Sequence, residues 1–176
     1  QSDQARKMRA EIRKSRAQAQ SELGMCNTNR MTLTHELIAF DTTKPSVSVD
    51  EYIQVDLSDP AAIVDAVNAM QGTFDALINN AGLPPREGLG RKVLEVNYLG
   101  LRDMTNTMAS RLNAGGAIVH TASRAGAFWR DNLAQIKALR GCTWGDIDAF
   151  IQSHKIDDTR AYNLSKEAVI VDTIAT

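Results

Sequence analysis

Between residues 36 and 123 short apolar runs alternate with helical patterns, and this alternation restricts the fold more than any other feature of the chain. "ELIAFD" (36–41) is a short run that ends in an acid, and "EYIQVDLSD" (51–59) is a second. In "PAAIVDAVNAM" (60–70), Asp59 and Pro60 suit an N-cap and a first helical position, and Ile63, Ala66, Val67 and Met70 share one face. "FDALINNAG" (74–82) reads as a strand entering a small-residue turn, a helical stretch covers residues 91–113, and "GGAIVHTAS" (115–123) reads as another strand. This order predicts an α/β domain in which helices cover both faces of a parallel sheet. Ligands of such sheets bind beyond the carboxyl ends of the strands, and Asp41, Asp56, Asn79 to Gly82 and Ser123 fall there.

Composition narrows the partners. A hydrophobic content of 43% and 23% charged residues in 176 residues suit one compact domain. A net charge of -1 and a pI near 6.3 give no field that would gather nucleic acid or an anionic membrane, which points to a small ligand. The two cysteines, Cys26 and Cys142, lack metal-type spacing, and no metal site is expected. No apolar run approaches the roughly 18 residues of a membrane span, and the polar N-terminus has no signal-peptide core, so a cytoplasmic location is expected. Residues 1–35 form a separate segment of unassigned role. Its first 23 residues carry six basic and three acidic side chains, and Met8, Ile12, Ala19 and Leu23 make a thin stripe that suits a solvated helix or a partner-docking arm.

"YNLSK" (162–166) places Tyr162 one helical turn ahead of Lys166. Spacing alone leaves two readings, a phenol with its helper ammonium or two ordinary residues on one face. The surroundings add three further landmarks in order: "INNAG" (78–82), "VLEVNYLG" (93–100) and "GGAIVHTASRAG" (115–126). Together with "YNLSK" they make residues 36–176 resemble the short-chain dehydrogenase/reductase family. The interval of 39 positions between Ser123 and Tyr162 is most similar to the bacterial 3-alpha-hydroxysteroid dehydrogenase/carbonyl reductase branch. The extra segment, about residues 128–158, has helical apolar spacing and two tryptophans. It reads as a helical insertion that either walls a substrate pocket, builds a subunit contact or packs on the domain.

The resemblance implies a Rossmann-like doubly wound parallel sheet and an enzyme that interconverts a secondary alcohol and a ketone. Hydride transfer to or from a nicotinamide requires a proton to leave or join the alcohol oxygen. Tyr162 would move that proton. A free phenol titrates at about pH 10, so a nearby cation is needed to favour the phenolate, and Lys166 would supply it while holding the nicotinamide ribose. Ser123 would bond the substrate oxygen, and Asn97 would complete a proton relay. Taken singly, Ser123 also suits a strand-end turn and Asn97 a satisfied helix-interior amide; their order in the chain selects the site reading.

On the cofactor side, Asp41 matches the acid that accepts the adenosine ribose hydroxyls and repels a 2'-phosphate, which favours NAD(H) over NADP(H). Asp56 and Leu57 match the adenine-edge contact, and Asn79, Asn80, Ala81 and Gly82 let the backbone approach the cofactor. Gly82 is the least replaceable of them if its backbone takes a positive φ.

One family landmark is not found. The glycine-rich turn that holds the pyrophosphate has no counterpart, since residues 1–40 contain one glycine, Gly24. In the 3-2-1-4-5 strand order the strand before that turn lies between those ending at Asp41 and Asn79, so the sheet is expected to be incomplete at its centre. The final strands and a substrate lid are not found either, and apolar edges and faces should remain open. We expect the sequence to belong to a longer enzyme; a true fragment, or an N-terminal segment that replaces the strand, are the alternatives. An apolar cyclic substrate such as a steroid fits best, and the family implies a homodimer or homotetramer. The rival reading is a non-catalytic dinucleotide-fold scaffold or sensing module.

Overall fold

The computed structural model describes residues 36–175, so the basic N-terminal segment and the docking role considered for it lie outside the described residues. The chain divides into two compact units, residues 1–39 with 47–51, and residues 40–46 with 52–176. In the first, the Leu37 amide donates to Asp50 Oδ2 at 2.7 Å, and the Leu37 carbonyl accepts from the amide of Asp50 at 2.9 Å. All candidate site residues belong to the second.

Strands β1 (Ile38–Asp41) and β2 (Glu51–Gln54) form one pair. Helix α1 (Pro60–Ala69) follows, with Asp59 as its N-cap accepting from the amides of Ala61 and Ala62 at 2.9 and 3.2 Å. Pro60 opens the helix, and Ile63, Ala66 and Val67 are buried, as the pattern predicts. β3 (Phe74–Asn79) leads into one continuous helical stretch made of α2 (Gly90–Leu94), a π-helical turn (Glu95–Gly100) and α3 (Leu101–Ala109). β4 (Leu112–His120) then pairs in parallel with β3, with Leu77 opposite Ile118 and Ile78 opposite Val119.

β4 starts three residues earlier than its apolar pattern suggests. The register is irregular between Phe74 and Ala76, where Gly115 takes a φ of 81° and lets the strand absorb extra residues. Among the described residues the strands form two separate pairs, β1 with β2 and β3 with β4, and no strand joins them. The cross-strand neighbours Ile78 and Val119 are 62% and 49% exposed, so one apolar face of β3 and β4 is open in this unit.

After a 3-10 turn (Arg124–Gly126), the insertion supplies α4 (Leu133–Arg140), a second 3-10 turn (Trp144–Asp146) and α5 (Ile147–Ser153), and α6 (Asp158–Ala175) closes the described chain. The insertion is part of the core. Ile136, Leu139 and Ile147 are fully buried against Leu94, Leu99, Leu164 and Ala168, and burial of each such side chain contributes about 1.5–3 kcal/mol. Trp144 Nε1 donates to Asp103 Oδ2 at 2.7 Å, and Arg102 Nη1 donates to the Cys142 carbonyl at 2.9 Å, which fastens the insertion to α3.

Candidate active site

The carboxyl ends of β1, β2 and β3 border a cavity of about 490 Å³. Asp41, Asp56, Leu57, Asn80, Ala81 and Gly82 all line it, joined by Phe40, Thr42, Val55, Leu83, Lys92 and Val96. Asp41 ends β1, and its Oδ1 accepts from the Thr43 amide at 3.1 Å and the Thr42 hydroxyl at 3.3 Å. These local bonds fix the carboxylate at the strand end. Asp56 is held more firmly: Oδ1 accepts from the Ser58 amide and hydroxyl at 2.9 and 2.7 Å, and Oδ2 pairs with Lys92 Nζ at 3.1 Å. The two Ser58 bonds, helped by Lys92 and outweighing burial, hold its carboxyl below the ordinary value.

Asn79 is placed differently from its neighbours. Its amide donates to Thr105 Oγ1 at 2.9 Å and meets His120 Nδ1 at 3.1 Å, so the side chain ties β3 to α3 and β4, and the residue is not among those lining the cavity. Gly82 has no positive φ. A Cβ there would make ordinary contacts with Asn97 Oδ1 at 3.4 Å and Lys166 Nζ at 3.5 Å, so the residue lies beside both side chains without a steric demand for glycine.

That glycine joins the cavity to the remaining candidates. Asn97, fully buried in the π-helical turn, accepts from the Leu83 amide at 2.7 Å and donates to the Leu83 carbonyl at 2.9 Å. The amide thus pins the loop just after Gly82, and its Nδ2 also reaches Ser165 Oγ at 3.5 Å. A π-turn widens the helix by one residue per turn and turns a side chain to a place that a regular α-helix would not reach.

Lys166, 5% exposed, donates to the Thr121 carbonyl at 2.9 Å, two residues before Ser123. Burial pushes its ammonium below the ordinary lysine value. Ser123 caps the 3-10 turn by accepting from the Ala125 amide at 3.2 Å. Gly126 in that turn lies against α6 so closely that a Cβ would stand 2.9 Å from the Lys166 carbonyl oxygen and 2.6 Å from Ile170 Cδ1. Tyr162 and Lys166 both lie on α6, one turn apart, and Asp157 accepts from the Arg160 amide at 2.7 Å to cap its first turn. The Lys166 ammonium thereby lies beside Gly82 and Asn97 and is tied to Thr121, two residues before Ser123, while Tyr162, half-buried one turn earlier on α6, packs against the hydrophobic core.

Four residues outside the sequence expectations complete the site. Lys92 pairs with Asp56, Thr121 anchors Lys166 and bonds Asn80 Oδ1 at 2.8 Å, and Ser165 meets Asn97. Asp158 reaches from the start of α6 to accept from the amides of Gly88 and Gly90 at 2.9 and 2.7 Å. Only Asp158 had a readable signal, an acid at a helix start. No cluster of His, Cys, Asp and Glu that could hold a metal ion is found among the described residues, nor a helix long and apolar enough to cross a membrane.

Comparison with known proteins identifies the family and the fold. The short chain dehydrogenase family model matches residues 10–135. Coniferyl-alcohol dehydrogenase of Pseudomonas sp. (strain HR199 / DSM 7063) is 33% identical over 147 residues, which are 82% of this chain and 57% of that protein. Among solved structures, the 3-alpha-hydroxysteroid dehydrogenase of Pseudomonas sp. B-0831 complexed with NADH is similar with a TM-score of 0.59 at 27% identity, over 75% of this chain and 52% of that one. The ligand-free aldohexose dehydrogenase of Thermoplasma acidophilum shares the fold, with a TM-score of 0.58 at 18% identity, over 80% of this chain and 49% of that one. The chain therefore spans about half the length of the relatives it matches. Since the family model covers well over half of its residues, the chain belongs to the short chain dehydrogenase family.

Proposed function

We propose that the chain is the cofactor-binding and catalytic part of an NAD-dependent oxidoreductase that interconverts an alcohol and a carbonyl compound, specifically a secondary alcohol and its ketone on an apolar cyclic skeleton. The observation that carries this reading is the cavity with Asp41 and Asp56 at its rim and Gly82 between it and the Asn97 and Lys166 side chains. Two fixed carboxylates beside the small residues Ala81 and Gly82 fit an adenosine, whose hydroxyls and amino group donate. Asp41 would take the ribose hydroxyls and Asp56, with the Leu57 backbone, the adenine edge.

When bound, the nicotinamide supplies the acceptor or donor of the hydride. Tyr162 takes the proton from the alcohol oxygen in one direction and returns it in the other. Lys166 places a positive charge beside the phenol, Ser123 orients the oxygen, and Asn97 holds the loop that carries Gly82. A steroid substrate is supported by the structural neighbour named for a hydroxysteroid. The curated relative, named for coniferyl alcohol, supports an aromatic alcohol as the second candidate. A cytoplasmic enzyme that works as a homodimer or homotetramer completes the proposal.

The test is NADH formation from NAD with a 3α-hydroxysteroid and with coniferyl alcohol. Tyr162→Phe should lower kcat about a hundredfold to ten-thousandfold while NADH affinity stays within about twofold. Undiminished turnover in that variant contradicts the role of Tyr162. NADH binding without turnover of either alcohol favours the non-catalytic module.

A further inference from the structure

Helix α6 carries a buried polar cluster on the side away from the proposed chemistry. Arg160 forms a two-pronged bond with Glu167, Nη1 to Oε1 at 2.9 Å and Nη2 to Oε2 at 2.7 Å, and Glu167 is 1% exposed. Two residues of the insertion close it: Asn132 Nδ2 donates to Glu167 Oε1 at 3.0 Å, and Gln135 Oε1 accepts from Arg160 Nε at 2.7 Å. Further along, Arg140 at the end of α4 pairs with Asp172 at 2.7 Å. The insertion therefore holds α6 by directional bonds at two levels.

At about 100° per residue, Arg160 and Glu167 share one face of α6, and Tyr162 projects from roughly the opposite face with Lys166 one turn on. Leu164 and Ala168 are fully buried in the core, and bonds across to the insertion add a directional restraint to that packing. The Arg160–Glu167 bond lies within α6 and turns with it; the directional bonds that cross to the insertion are those of Asn132 to Glu167 and Arg160 to Gln135, and the bidentate pair holds both side chains in place to make them. A buried pair of this kind adds little net stability over an apolar substitute, so stability alone does not account for it. The phenol oxygen of a tyrosine stands about 8 Å from its helix axis, so a rotation of about 10° moves it roughly 1.4 Å. Displacements near 1 Å at a reacting group cost about a hundredfold in rate.

We infer that the Arg160–Glu167 pair, closed by Asn132 and Gln135 of the insertion, is a positioning device that fixes the rotation of α6 and with it the placement of Tyr162 and Lys166. This rests on the catalytic reading above. The insertion then contributes to turnover through the helix that it grips.

The experiment uses the full chain labelled with 3-fluorotyrosine, the Tyr162 fluorine resonance being assigned by its loss in Tyr162→Phe. Turnover of coniferyl alcohol and of a 3α-hydroxysteroid with NAD is measured on the same samples. Glu167→Gln should shift or split the Tyr162 resonance and lower kcat about tenfold or more, with the KM for the alcohol within about threefold. Asn132→Ala and Gln135→Ala should act in the same direction with smaller size, and they decide the matter if Glu167→Gln does not fold. An unmoved resonance in the folded variants overturns the inference, as does an unchanged kcat in a chain that turns over. A wild-type chain inert toward both alcohols, whose resonance still moves in Glu167→Gln, overturns the catalytic reading and leaves the clasp in place.

Discussion

Single side chains do different work at the two ends of the site. Asp41 stands at the rim of the cavity with its carboxylate turned by Thr42 and Thr43, where a 2'-phosphate would meet a like charge. NADH should therefore bind about tenfold more tightly than NADPH, and Asp41→Asn should bring the two affinities close together. Equal affinities in the wild type would contradict the assignment. His120 offers a pH test. Burial is the main cause that pushes its imidazole below the ordinary 6.5, against a smaller opposing pull from Asp172. A depressed folded value means that the unfolded chain takes up the proton first. The stabilisation is then complete above about pH 6.5 and is lost as pH falls from there toward the depressed folded value. Thermal midpoints of the wild type should drop through that window, and those of His120→Gln should drop less. Parallel curves would show that His120 does not titrate as described.

Elements place these residues, and two glycines decide how closely the elements approach. Gly126 brings the turn after Ser123 onto the backbone of α6, and a methyl group there meets the Lys166 carbonyl. Gly126→Ala should destabilise the chain by about 1–3 kcal/mol and lower kcat along with it, read by denaturant unfolding and turnover. Gly100 in the π-turn similarly lies against the Leu57 carbonyl, which binds the helix of Asn97 to the segment of Asp56. At the start of α1, Asp59→Ala should cost about 1 kcal/mol by removing the cap, with NADH affinity unchanged. α1 was legible because its signals are local: a capping acid, a proline at the first position and apolar residues at helical spacing. β4 was legible as a strand but not at its start, because the irregular pairing at Gly115 depends on β3. The helical character of the insertion was readable from its spacing. Its grip on α6 was not, because Arg160 meets Gln135 and Asn132 meets Glu167 only once α4 and α6 are packed.

At the scale of the molecule, four ordered motifs were enough to identify the family and to name Asn97, Ser123, Tyr162 and Lys166. The structure brings the Asn97 and Lys166 side chains to Gly82 and ties Lys166 to Thr121, while Tyr162 stands one turn earlier on α6. The sequence could not show that Asn79 turns away toward Thr105 and His120, since the direction of a side chain after a strand is set by what packs on the sheet. Nor could it reveal Lys92, whose partner Asp56 is 36 residues distant. The two strand pairs are not joined among the described residues, and Ile78 and Val119 are open, in keeping with a sheet that the sequence leaves incomplete at its centre. The cavity lined by Asp41, Asp56 and Gly82 is the feature on which the functional reading depends. A calorimetric titration of the chain with NADH, repeated with NADPH, tests it directly. Saturable micromolar binding of NADH, about tenfold weaker for NADPH, is the predicted result; no saturable binding of either would contradict a dinucleotide site at Asp41, Asp56 and Gly82.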